Sequence, residues 1–187
     1  WRWGAGRGAG ELVYLKVATG IGAGLILGGA PFRGAGGTAG ELGHLVIDPG
    51  GAICRCGNRG CLETLAAAPR LLEVLQRAYD EPLTVPRVLA LETDGDAGVR
   101  RVLNDAGRVI GRALADLCNS INPEVVVIGG SLGGSLALRD GVRAAVDRYA
   151  QPDTAAAVRV VPAVLGDRAE VVGAVTLATT RASASTV

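Results

Sequence analysis

The chain has 187 residues, nearly half of them apolar, with a formal net charge of +1. That length and composition support one globular domain with a sizeable core. The near-balanced charge argues against a surface built for nucleic acid, and no apolar run approaches the roughly 20 residues of a membrane span.

The opening WRWGAGRGAG has no apolar core of the kind a secretory signal needs. The sequence contains no Met and starts at Trp1, so it is expected to be a piece of a longer protein. Leu12 to Val17 alternates and predicts a strand. A glycine-rich turn at 18–24 and a second apolar run, Leu25 to Leu27, predict a hairpin. Residues 28–40, GGAPFRGAGGTAG, read as one long loop. Glu41 to Asp48 is short and partly apolar, and Pro49-Gly50-Gly51 turns the chain into a cysteine-bearing segment.

Pro69 predicts the first turn of a helix reaching about Tyr79. Residues 80–98 hold two prolines and an acidic, glycine-bearing stretch, and are expected to be connection. Apolar residues from Val99 to Leu117 recur at helical spacing and predict the clearest amphipathic helix of the chain. Gly107 and Gly111 lie one turn apart inside it. Each costs about 1 kcal/mol of helix propensity, which predicts the close approach of another helix. Val125 to Ile128, a β-branched run ending in Gly129-Gly130, reads as a buried parallel strand. A helix over 136–149, a strand at 158–161 and a last helix from Gly166 to about Thr179 complete the pattern, and the tail ASASTV is expected to fray. Strands separated by helices make the fold class α/β.

The chemistry concentrates in one segment. His44 is followed after nine residues by Cys54, then Cys56, and after four more by Cys61. Cys54 and Cys56 are too close in sequence to pair easily with each other, so the cluster reads as metal rather than disulfide, and the compartment as cytoplasm. Zinc takes about four N or S ligands in a tetrahedron, and a closed Cys3His set leaves no position open for catalysis. His44, Cys54, Cys56 and Cys61 are therefore the candidate ligands of one structural zinc ion. The alternative is three buried free thiols beside an unrelated histidine. The turn at 18–24 has two readings as well: a plain hairpin turn, or backbone N–H groups that cradle a phosphate.

Glu41-Leu42-Gly43-His44 followed by Cys54-Arg55-Cys56-Gly57-Asn58-Arg59-Gly60-Cys61-Leu62-Glu63 resembles the signature of the ROK family of repressors and sugar kinases. The Thr19-Gly20-Ile21-Gly22 turn, the Arg33-Gly34 loop, Ala39-Gly40-Glu41, Asn122-Pro123-Glu124 and Ile128-Gly129-Gly130 stand in the family's order, so the resemblance covers nearly the whole chain. It implies an actin-like ATPase (ribonuclease H-like) sugar-kinase fold, of which residues 1–187 would be the C-terminal lobe. It implies hexose contacts from Glu41, His44 and Glu63, which composition alone would leave as solvated carboxylates and a metal ligand. It implies nucleotide contacts, with ATP and magnesium, from Thr19, Gly20, Gly22, Gly129 and Gly130 if the protein is a kinase.

Two departures lean away from kinase activity. Ala18 stands where family kinases have glycine, and Gly129-Gly130-Ser131-Leu132 lacks their third glycine. The aspartate-glycine phosphate motif and the catalytic aspartate of such kinases would precede Trp1, so residues 1–187 alone are expected not to phosphorylate sugar. The resemblance thus points to the sugar-sensing part of a transcriptional repressor, with a sugar kinase such as a glucokinase as the alternative. The partners it implies are a small sugar, a second copy in a homodimer, no membrane, and DNA only through a domain upstream.

Overall fold

A computed structural model describes residues 1–184; Ala182 to Ala184 of the tail expected to fray are still helical, and residues 185–187 lie outside the described residues. One mixed sheet organises the molecule. Strand β1 (Leu12–Val17) pairs antiparallel with β2 (Ile21–Leu27), and β2 pairs with β3 (Ala30–Phe32). On its other side β1 pairs parallel with β4 (Val125–Gly129), and β4 pairs parallel with β5 (Arg159–Pro162), giving the order β3-β2-β1-β4-β5.

The hairpin expected at 18–24 is present but tighter. Val17 pairs with Ile21, so only residues 18–20 turn, and Ile21 to Gly24 are already strand. Residues 28–40 are not one loop. Gly28 and Gly29 both have positive φ (58° and 74°) between paired Leu27 and Ala30, the two-residue turn whose twist suits an antiparallel hairpin.

Between β3 and β4 run α1 (Leu62–Ala66), α2 (Ala68–Gln76), α3 (Val85–Thr93) and α4 (Ala97–Ile121). Pro69 sits in the first turn of α2 as its type predicts. The stretch 80–98 was expected to be connection, yet Pro86 lies in the first turn of α3, and Thr84 caps it by accepting from the Arg87 N–H. Asp96 caps α4 by accepting from the Val99 N–H, and its other oxygen takes a 2.6 Å hydrogen bond from the Tyr79 hydroxyl.

The Tyr79 bond, with the Val99 N–H adding to it, holds the Asp96 carboxyl below the usual carboxylate range. A depressed folded-state value adds stability above the unfolded value and loses it as pH falls through the folded one. Acid titration of melting temperature should therefore show an acid-side loss that Asp96→Asn lacks in part, with the two proteins converging at the lowest pH. Parallel curves over the whole range would rule out this contribution.

After β4 come α5 (Leu136–Tyr149), α6 (Pro152–Ala157), β5, and α7 (Ala169–Ala184). Helices α4 and α5 cover one sheet face, where Val13, Leu15, Val17, Val126 and Ile128 meet Leu103, Ile110, Leu114, Leu138 and Val142 in the main core. A smaller cluster of Leu12, Ile26, Val125 and Val127 lies on the opposite face, under Trp1 and Ala163. Among the described residues no helix is long and apolar enough to cross a membrane.

Candidate metal centre and ligand pocket

The site is assembled along the part of β2 that β3 leaves uncovered. The Ala23 N–H donates to the Gly40 carbonyl at 2.7 Å, and the chain from Gly40 to His44 lies against β2. Gly40 has φ +100°, and a Cβ there would fall 1.9 Å from the Ala23 carbonyl oxygen. A Cβ on Gly43 would fall 2.1 Å from that of Ile21. Only glycine permits this approach at either place, and it fixes the short 3₁₀ turn Leu42–His44 that presents Glu41 and His44.

The cysteine loop closes on itself through two isolated bridges, Val46 with Cys61 and Ile53 with Arg59. Gly60 (φ +59°) turns where a Cβ would overlap the Asp48 carbonyl. Cys61 caps α1, so Glu63 is in that helix's first turn. The Ala68 N–H donates to the Ala18 carbonyl, tying the α1–α2 junction to the β1–β2 turn.

The four ligand atoms of His44, Cys54, Cys56 and Cys61 all lie within 4.8 Å of one another. Zn–S bonds of about 2.3 Å at tetrahedral angles place two sulfurs about 3.8 Å apart. The Cys56 and Cys61 sulfurs are 3.6 Å apart, and Cys54 Sγ is 3.5 Å from His44 Nδ1. Three thiols and an imidazole converging at these separations fit zinc in number, chemistry and spacing. Without metal the cluster is poorly matched to itself. Burial, with hydrogen bonding to Cys56 and Cys54, pushes the Cys61 thiol up to about 12. Cys56, the exposed one, is pulled below the ordinary thiol value, first by the Asn58 backbone N–H. A divalent cation stabilises all three as thiolates at once.

His44 uses its two nitrogens differently. Nδ1 faces Cys54 and lies 3.7 Å from Glu63 Oε1, whereas Nε2 lies 3.7 Å from Glu41 Oε2. A ring fixed through Nδ1 leaves Nε2–H as a preset donor beside Glu41. Glu63 is nearly buried, its side chain 10 % exposed, and Oε1 accepts from Cys54 Sγ at 3.2 Å. Its Oε2 reaches to within 3.0 Å of where a Gly20 Cβ would stand. The expected sugar residues Glu41, His44 and Glu63 are thus neighbours, and the β1–β2 turn borders them.

Arg55 joins the site beyond the residues expected from the sequence. Its Nε is 3.4 Å from Glu63 Oε1 and its guanidinium overhangs Gly20. Its place inside the Cys-x-Cys pair was the only signal for it.

The nucleotide candidates divide. Thr19 is exposed at the tip of the β1–β2 turn and Gly20 completes that turn, but Gly22 is strand, paired with Lys16. Gly129 ends β4 and Gly130 follows it; β4 runs parallel to β1, so both lie at the same end of the sheet as Thr19 and Gly20. Packing alone requires Gly130 as glycine, since a Cβ there (φ +83°) would meet the Val17 carbonyl at 2.4 Å, whereas one on Gly129 would meet the Tyr14 hydroxyl at 2.2 Å and displace that ring.

Comparison with known proteins agrees with this geometry. The model of the ROK family matches residues 1–181. A glucokinase of Halalkalibacterium halodurans is 35% identical across 91% of this chain and 56% of its own length. A xylose repressor of Bacillus spizizenii is 30% identical across 91% of this chain and 44% of its own. The chain therefore spans about half the length of these curated relatives. A ROK family glucokinase from Streptomyces griseus, solved with glucose and AMPPNP, superposes with a TM-score of 0.83 at 27% identity, over 92% of this chain and 62% of that one.

Proposed function

Since the chain belongs to the ROK family, we propose that it is the sugar-sensing effector portion of a transcriptional regulator, with a zinc ion framing the sugar pocket. The observation that carries this reading is the meeting of Glu41, His44 Nε2 and Glu63 beside the metal cluster. Two carboxylates and a fixed imidazole suit adjacent hydroxyl groups, since each carboxylate accepts from two donors at once. Zinc supplies no reaction step here; bound by His44, Cys54, Cys56 and Cys61, it holds the loop and the histidine ring in place. The sugar would favour one conformation of the protein and so shift a DNA-binding equilibrium carried by other parts of the polypeptide. Ala18, buried at the turn, and Ser131, directly after Gly130, stand where family kinases keep glycine and so support the regulator.

The second reading is part of an ATP- and magnesium-dependent hexose kinase. It is favoured by the shared end of the sheet that puts Thr19, Gly20 and Gly130 on the same side as Glu63.

Calorimetry of the full-length zinc-loaded protein against hexoses, pentoses and amino sugars tests the common core of both. Glu63→Gln should weaken sugar binding about tenfold to a hundredfold, the worth of a hydrogen bond to a charged acceptor at roughly 1.5–3 kcal/mol. Sugar-dependent release of DNA without ATP turnover would favour the regulator, and phosphorylation of the sugar by ATP the kinase. No binding by any sugar would remove both.

A further inference from the structure

A second surface lies away from the sugar pocket. Helices α4 and α5 cross at very short range, and beside their contact runs a shallow groove of about 310 Å³. Ile47 of the metal loop, Val109 of α4, and Ala144, Ala145 and Tyr149 of α5 give it an apolar lining. Its remaining lining residues are Arg108, Arg112 and Arg148, with no carboxylate among them. In a chain whose net charge is only +1, this is a concentrated cationic rim.

The rim is held in place. The Arg112 guanidinium stacks over the Tyr149 ring at 4.6 Å and that of Arg148 lies 5.8 Å from the same ring. Arg112 lies 3.8 Å from the Asp116 carboxylate, whereas Arg108 donates to the Asn104 amide oxygen. Arg148 makes its contact with the Tyr149 ring, and no ion pair to it is found among the described residues.

We propose that this groove docks an amphipathic helix of a partner protein, with apolar side chains on its floor and carboxylates against the arginines. The volume sits at the bottom of the range for small-molecule pockets, roughly 300–1,000 Å³, and suits a row of side chains better than a metabolite. Arg108 and Arg112 are one turn apart on α4, so carboxylates one turn apart on a docked helix match them. Nucleic acid fits less well, because the apolar floor offers nothing to phosphate and two guanidinium groups already engage the Tyr149 ring. The proposal is independent of the sugar reading.

The test uses full-length zinc-loaded protein and a fluorescent helical peptide with Leu at i, i+4 and i+7 flanked by Glu. Anisotropy should show saturable binding that weakens with added salt and is at least tenfold weaker for Arg112→Glu and for Arg148→Glu. Both side chains are exposed, so these variants should keep the wild-type melting temperature. A peptide with Lys in place of Glu should not bind. Equal binding of the Lys peptide, no binding of the Glu peptide, or full binding by both variants would overturn the proposal. So would duplex DNA bound through the same arginines, or a dimer of the protein dissociated by the same substitutions, each assigning the groove to a different occupant.

Discussion

Cys61→Ser should reduce zinc from about one equivalent per chain to near none and lower the melting temperature by about 10 °C. The sulfur is fully buried, 3.6 Å from Cys56, and belongs to the residue that caps α1. Metal at a thousandfold its dissociation constant adds about 4.1 kcal/mol to the folded state. For a chain of this size each kcal/mol moves the midpoint by about 2–4 °C. Without the ion, the loop retains two isolated bridges and three thiols of which one is forced to about 12. The same change should weaken sugar binding, since the His44 ring loses what orients it. Cys118→Ser, in the α4 core and outside the cluster, should leave zinc content unchanged. Metal analysis and thermal melts of the two variants decide the matter: full zinc occupancy and an unshifted midpoint in Cys61→Ser would discard the metal site.

Gly107→Ala should destabilise the protein by about 2–3 kcal/mol, against the direction that helix propensity predicts. On an open helix surface the change would gain about 1 kcal/mol. Here the new Cβ would fall 2.1 Å from the Leu138 carbonyl oxygen and 3.0 Å from the Val142 nitrogen. Both are helix backbone and cannot rotate away, so α5 must shift and uncover packed surface, at a cost typical of overpacked cores. Gly141 makes the reciprocal contact, 2.1 Å from the Asn104 carbonyl, and Gly111 comes 2.6 Å from that of Val142. Because one displacement of α5 relieves all three, combined substitutions should cost less than the sum of the singles. Urea unfolding provides the measurement, and a Gly107→Ala protein as stable as wild type would show that the helices are not in contact there.

Much of this was legible beforehand, for identifiable reasons. Val125 to Ile128 could be read as a buried parallel strand because a strand covered on both faces carries an unbroken apolar run. The 3.6-residue period exposed α4, and Gly107 and Gly111 within it announced a close helix neighbour. The four-residue cluster that could hold a metal was legible because three thiols and a lone histidine have few other uses at such spacing.

Other features depend on which chain segments meet. Helix α3 was hidden because Pro82 and Pro86 together read as linker, although Pro86 occupies a first turn where no N–H is needed. Gly22 looked like part of a phosphate-binding turn, but the β1–β2 register tightens the turn to three residues and leaves Gly22 in a strand. The exclusion of any side chain at Gly40 and Gly43 follows from β2 backbone that precedes them by about twenty residues, and from this contact comes the position of Glu41 and His44. Residue types and local spacing, then, determined by themselves the Cys3His cluster, the strand pattern and the glycine contact of α4. Only the tertiary structure decided that Glu63 faces the β1–β2 turn, that Arg55 reaches it, and that three arginines from two helices line one groove, because each of these joins groups that the sequence holds apart.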